Sequence, residues 1–98
     1  MKSLKFKTMD IKLLKDVVAN LGNEFDSHKF IEKFISLHEK EYVDLLHKKE
    51  KGIFRAAHSY IGKCLSNNSL KLKIEKTERV VSENIKKYDC ENQNWKKI

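Results

Sequence analysis

From Ile11 to Leu21, apolar side chains recur at steps of three and four. Ile11, Leu14, Val18 and Leu21 form the stripe with Leu13 and Val17 beside them, while Lys12, Lys15 and Asp16 fall elsewhere on the wheel. This spacing predicts an amphipathic helix, and Gly22-Asn23 is its expected stop because both residues tolerate left-handed backbone. A second start follows at Phe25-Asp26-Ser27. Asp26 is suited to accept from the orphan amides of a first turn, and Phe25 to pack on Phe30 as a hydrophobic staple. Ile31, Phe34, Ile35, His38, Tyr42, Leu45 and Leu46 then keep one helical stripe through to His47, which fits either one long helix or two with a bend near Leu37. Lys48 to Gly52 breaks the pattern, and a new helix is expected from about Ile53 to Leu65. With Ile61 at the centre of its buried face, Phe54, Ala57, Cys64 and Leu65 lie within about 60° of it and are expected in the core. Arg55, Ser59, Gly62, Lys63 and Ser66 take the opposite side, with His58 near the boundary.

After Ser66-Asn67-Asn68-Ser69, which reads as a turn, the period changes to two: Leu70, Leu72 and Ile74 alternate with Lys71, Lys73 and Glu75. The expectation is a strand with one wet, lysine-bearing face. Arg79 to Ser82 can pair back on it across a turn at Lys76-Thr77-Glu78, or begin a helix from Thr77 that uses Val81, Ile85 and Tyr88. The adjacent β-branched Val80 and Val81 favour the hairpin, with Trp95 closing over the core or capping the sheet. The predicted fold class is α+β, mostly helical, with three to four helices followed by a small β-hairpin. Proline is absent, the only glycines are Gly22, Gly52 and Gly62, and no repeat is evident, so residues 1–98 are expected to form one domain. Residues 1–8, where bases alternate with apolar side chains, are expected to be a strand, a phosphate-binding arm or a loose end. Residues 83–98 are expected to be a tail packing on the core.

Length and charge narrow the functional classes. Ninety-eight residues suit one small core and exclude a multi-domain enzyme. The net charge of +7 and a pI near 9.4 favour a polyanionic partner. The charge is unevenly spread: residues 1–23 carry +3, residues 24–46 carry −3, residues 47–63 carry +4 and residues 64–98 carry +3. Only Arg55 and Arg79 are arginines, the residue better suited to bidentate phosphate or guanine contacts. Two cysteines are too few for a disulfide scaffold, and no stretch resembles a signal peptide or a membrane span. The expected setting is a reducing, cytoplasmic one without a membrane partner.

A helix pair, a third helix with a small, basic outer face, and then a lysine-bearing hairpin is the order of elements in winged helix-turn-helix domains. The chain from roughly Ile11 to Ser82 resembles them in that order. The resemblance implies a non-catalytic domain that binds duplex DNA, acts as a transcription regulator and pairs as a homodimer. The positions matching the family's groove-facing helix are Arg55, Ser59, Gly62 and Lys63, and those matching its wing are Lys71, Lys73, Lys76 and Arg79. The acidic stretch from 24 to 46 departs from the pattern and would have to face away from phosphate. The other reading of the same face is a docking surface for a protein partner, as in a small regulator or inhibitor of a nucleic-acid enzyme; a plain solvated face is the third.

Other chemistry lacks its spacing. His28, His38, His47, His58, Cys64 and Cys90 include neither Cys-x-x-Cys nor His-x-x-x-His, so no metal site is expected. Cys64 and His58, six apart on one helix, diverge by about 120°, and no phosphate loop or nucleophile elbow is present. No catalytic residue and no cofactor are expected. Phe6, Tyr60, Tyr88 and Trp95 are too scattered for a base-stacking platform.

Overall fold

A computed structural model describes residues 9–48, 52–84 and 87–98; the lysine-rich segment 1–8 lies outside the described residues. The fold is α+β. In chain order the elements are α1 (Ile11–Ala19), β1 (Glu24–Asp26), α2 (Ser27–Leu37), α3 (Glu39–His47), α4 (Ile53–Asn67), α5 (Ser69–Leu72), β2 (Ile74–Glu83) and β3 (Asp89–Lys97). The strands form one antiparallel sheet in the order β1-β3-β2.

The helical stripes fold as their spacing dictates. Asp10 caps α1 by accepting from the Lys12 amide at 2.9 Å, and Leu14, Val17 and Val18 enter the core. The helix stops at Asn20, short of Gly22-Asn23. The Asn20 amide donates to Val17 and its side chain donates to the Asp16 carbonyl at 2.8 Å, so the last carbonyls are satisfied without a left-handed glycine. Asp26 caps α2 through the Lys29 amide at 2.8 Å, and the Phe25 and Phe30 rings sit 6.2 Å apart, as the staple requires. The long stripe divides at His38, whose φ of −130° and ψ of 52° end α2 and open α3.

Gly52, at φ +52°, is the N-cap of α4, a left-handed position that suits glycine. Ala57, Ile61, Cys64 and Leu65 are buried as expected. Phe54 is not: it remains 43% exposed, because it lies in the first turn of α4, beyond the edge of the core, where its ring leans on His58.

The largest correction falls on residues 66–98. Ser66 to Ser69 is no open turn. Asn68 is buried, donates to the Cys64 carbonyl at 2.7 Å, and leads directly into the short helix α5. Leu70 and Leu72 are therefore helical, not strand; Leu72 is buried and Leu70 is 87% exposed. Lys73 then turns left-handed at φ 57° and the strand begins at Ile74. The hairpin spans 74–97 in place of 70–82, and neither the expected turn at Lys76-Thr77-Glu78 nor a helix from Thr77 forms. Between Lys76 and Arg79, β2 inserts one extra residue relative to β3, a bulge whose Thr77 carbonyl accepts from Gln93 Nε2 at 3.0 Å while Thr77 Oγ1 accepts from Asn94 Nδ2 at 2.9 Å. The residues expected as a C-terminal tail form β3, the central strand. Trp95 on that strand is 2% exposed and donates its indole N–H to Ser27 Oγ at 3.1 Å.

Candidate nucleic-acid interface

The outer side of α4, the start of α2 and the β2–β3 hairpin enclose an open groove of about 760 Å3. From α4 it takes Phe54, Arg55, His58, Ser59 and Gly62; from α2, Ser27, His28 and Ile31; from the hairpin, Arg79 and the stretch from Cys90 to Gln93. The register of this wall comes from Asn92, which is buried. Its Oδ1 accepts from the His28 amide at 3.0 Å, and its Nδ2 donates to the Val80 carbonyl at 3.2 Å and to Ser82 Oγ at 3.1 Å. Asn92 thus joins the first turn of α2 to both strands of the hairpin. Ser27 Oγ donates to the Gln93 carbonyl at 3.2 Å, and His28 Nδ1 lies 2.9 Å from Ser82 Oγ. On the opposite wall Tyr42 holds His58, with Oη 2.8 Å from Nε2 and the rings stacked, which fixes α4 against α3.

The expected contact residues divide between several places. Arg55, Ser59 and Gly62 line the groove together with Arg79, so the exterior of the helix and one residue of the hairpin do converge. Lys63 is exposed on α4 outside the groove lining. Lys76 lies on the sheet with its ammonium 5.9 Å from the Trp95 ring centre. Lys71 and Lys73 are not on the hairpin; they flank a separate cleft against α1, because α5 carries Lys71 and its left-handed C-cap is Lys73. Arg79 is engaged within the chain: Nε donates to Glu91 Oε1 at 2.7 Å and Nη2 to the Glu91 carbonyl at 3.4 Å. Both side chains are exposed, and such a pair is worth at most about 1 kcal/mol, so it separates at little cost.

Gly62 sits within α4 with helical backbone, and a Cβ there would meet nothing within 4 Å. Neither chain geometry nor packing requires a glycine, though it costs about 1 kcal/mol relative to alanine in a helix interior. Ser27, His28, Asn92 and Gln93 line the groove without having been expected there. Their only sequence signal was being polar, since it is the β1-β3-β2 pairing across more than sixty residues that brings them to α4.

Cys64 is buried and Cys90 exposed, both as free thiols. Burial raises the Tyr60 hydroxyl to about 12, helped by its hydrogen bond to Cys64 and by electrostatic repulsion from that sulfur; burial also raises Tyr42. Among the described residues no group of three or more His, Cys, Asp or Glu side chains is placed to hold a metal ion. No helix among them is long and apolar enough to cross a membrane. No protein-family model, curated protein or solved structure matches this chain.

Proposed function

We propose that the chain is a non-catalytic, winged-helix-like domain that binds duplex DNA, with α4 facing the major groove and the β2–β3 hairpin flanking it. The convergence of Arg55, Ser59, Gly62 and Arg79 on one open groove is the observation that carries this reading. An α-helix fits the roughly 12 Å major groove, an arginine there can bind guanine in bidentate fashion, and a bare glycine allows close approach of a backbone. The sheet order β1-β3-β2, with the helices placed before the hairpin, supports the same architecture. α4 has no acidic residue, so Arg55 and Lys63 meet a phosphate without a competing carboxylate on their own helix.

Phosphate contacts dominate affinity for random-sequence duplex and make it salt-dependent. With Arg55, Lys63 and a released Arg79 each neutralising one phosphate, these three contacts alone should contribute roughly −2.7 to the slope of log affinity against log salt. Arg55→Ala and Lys63→Ala should each flatten it by about 0.9, measured by fluorescence anisotropy over a salt series. Absence of salt-dependent binding at about 100 mM salt, or a slope indifferent to both substitutions, overturns the reading.

The half-exposed Phe54 beside Ile31 at the groove wall favours a second reading, in which the groove receives an apolar side chain from a protein partner. Under that reading Phe54→Ala abolishes complex formation while Arg55→Ala leaves it intact.

A further inference from the structure

Lys71 and Lys73, which the alternation places on the hairpin, instead meet Lys15 of α1 and Lys97 of β3 around a cleft of about 420 Å3 walled by Val18 and Leu72. No carboxylate side chain lines this cleft, and among the described residues none of the four lysines is in an ion pair. Lys96 differs, since its register partners on the neighbouring strands are Glu24 and Glu75. Lys97 is anchored by donating to the Leu21 carbonyl, at 2.6 Å, a contact that fixes its ammonium without neutralising it. Four like charges gathered at one cleft repel one another, and an anion entering it relieves that repulsion.

Lys73 adds an independent observation. It holds φ at 57°, where a Cβ is disfavoured and Gly or Asn is the ordinary choice. The surrounding chain enforces it: the Lys73 amide donates to Leu70 and its carbonyl accepts from the Ile98 amide at 2.9 Å. These bonds fix Lys73 at the lining of the cleft.

We propose that this lysine cleft is a second site for the phosphate groups of a nucleic-acid backbone, separate from the α4 groove. Ammonium groups bind phosphate oxygens as point charges with little geometric demand, and the cleft holds no arginine or aromatic ring to read a base, so the contact is independent of sequence. The two sites share no lining residue, and their nearest residues on β3, Gln93 and Lys97, are four apart, roughly 13 Å along the strand. An anionic membrane offers the same phosphates, and exposed Leu70 and Ile98 beside the lysines would give it an apolar anchor, but it wants a broad cationic face. Here the charges converge on a cleft and Asp16 stands beside Lys15 on α1.

The test is amide chemical-shift mapping of the isotope-labelled full chain with a short random-sequence DNA duplex. Shifts are expected at Lys71, Leu72, Lys73 and Ile98, in addition to any along α4. Lys15→Gln/Lys71→Gln, two exposed helical positions, should remove those shifts, leave the fold and the α4 shifts intact, and flatten the salt slope by about 2. Arg55→Ala should do the converse. If the cleft shifts appear while α4 is silent, the cleft stands and the groove reading falls. The cleft proposal is overturned if these amides do not respond to duplex, if their shifts survive the double substitution, or if the lysines are needed for phosphatidylserine vesicles and not for duplex.

Discussion

Asn92→Ala is the substitution that most directly probes how the groove is held open. The first four amides of an α-helix have no partner within the helix. In α2, Asp26 takes the Lys29 amide and Asn92 reaches across from β3 to take the His28 amide at 3.0 Å, so a strand residue acts as a second, remote cap. The same side chain donates to Val80 and Ser82. A net hydrogen bond contributes about 0.5–1.5 kcal/mol, and an abandoned buried donor costs about 1–3 kcal/mol. Truncation therefore removes three bonds and orphans the His28 amide, for an expected loss of about 2–4 kcal/mol. Against a total of about 5–15 kcal/mol for a chain of this size, that is a large share. At about 4–8 °C per kcal/mol, Tm should fall by at least 8 °C or so, read by thermal and urea denaturation. Asn92→Asp should fall between wild type and alanine. Its carboxylate still accepts from His28 and suits the positive end of α2, but it turns a lone pair toward the Val80 carbonyl. Loss of less than about 0.5 kcal/mol in the alanine variant, or an unchanged exchange rate at the His28 amide, would refute the argument that Asn92 joins α2 to the hairpin.

Tyr60 gives a pH prediction of definite sign. Its hydroxyl ionises near 10.0 in the unfolded chain and at about 12 in the fold, so its contribution is fully present below pH 10 and is lost as pH rises toward 12. Denaturation midpoints over that range should fall more steeply for wild type than for Tyr60→Phe, which keeps the part due to Tyr42 and to the lysines common to both; parallel curves would refute the assignment. Gly62→Ala should raise stability by about 0.5–1 kcal/mol, because the Cβ meets no neighbour, and weaken duplex binding several-fold. A stability gain with unchanged binding removes Gly62 from the contact surface.

The parts of the fold legible in the sequence are those set by neighbours a few residues apart. Leu14, Val17 and Val18, or Ala57, Ile61, Cys64 and Leu65, repeat at helical steps and are buried as their spacing requires; Asp26 caps and Phe25 staples within one turn. Residues 70–73 read wrongly because two patterns coincide, while Ile74 and Glu75 are strand as expected. Leu72 and Ile74 are both buried, as alternation demands, yet Leu72 closes a helix and Ile74 opens a strand, with a left-handed Lys73 between them. Strand β1 was illegible because three residues show no period, and its partner Trp95 lies some seventy residues on. The candidate site divides the same way. Arg55, Ser59 and Gly62 share a groove because they share a helix face, whereas Lys71 and Lys73 left it once the hairpin began later than their alternation implied.

Positive charge is less offset by acids on α4 than on the hairpin, which is why the DNA-binding proposal puts its main contacts on the helix. Between Ile74 and Lys97, Lys76, Arg79, Lys86, Lys87, Lys96 and Lys97 face Glu75, Glu78, Glu83, Asp89 and Glu91, a near balance in which Arg79 is already paired. The hairpin therefore offers shape more than charge. α4 carries Arg55 and Lys63 against no acid, and Lys48, Lys49 and Lys51 precede it in sequence. It also lacks the usual helix supports. α1 and α2 begin on capping aspartates and α3 on Glu39 and Glu41, while α4 begins on a glycine with no side chain to cap, has no acid in its first turn and contains Gly62. A glycine in place of a capping side chain forgoes only a few tenths of a kcal/mol and an interior glycine about 1 kcal/mol, while cations near a helix N-terminus oppose its dipole. Gly62 could take an alanine and the first turn an acid, whereas Gly52, at φ +52°, accepts a capping side chain only with strain. On the proposed reading, a polyanion bound along α4 would offset the positive end of its dipole, so duplex should slow amide exchange in the first turn of α4; unchanged exchange there would count against the reading.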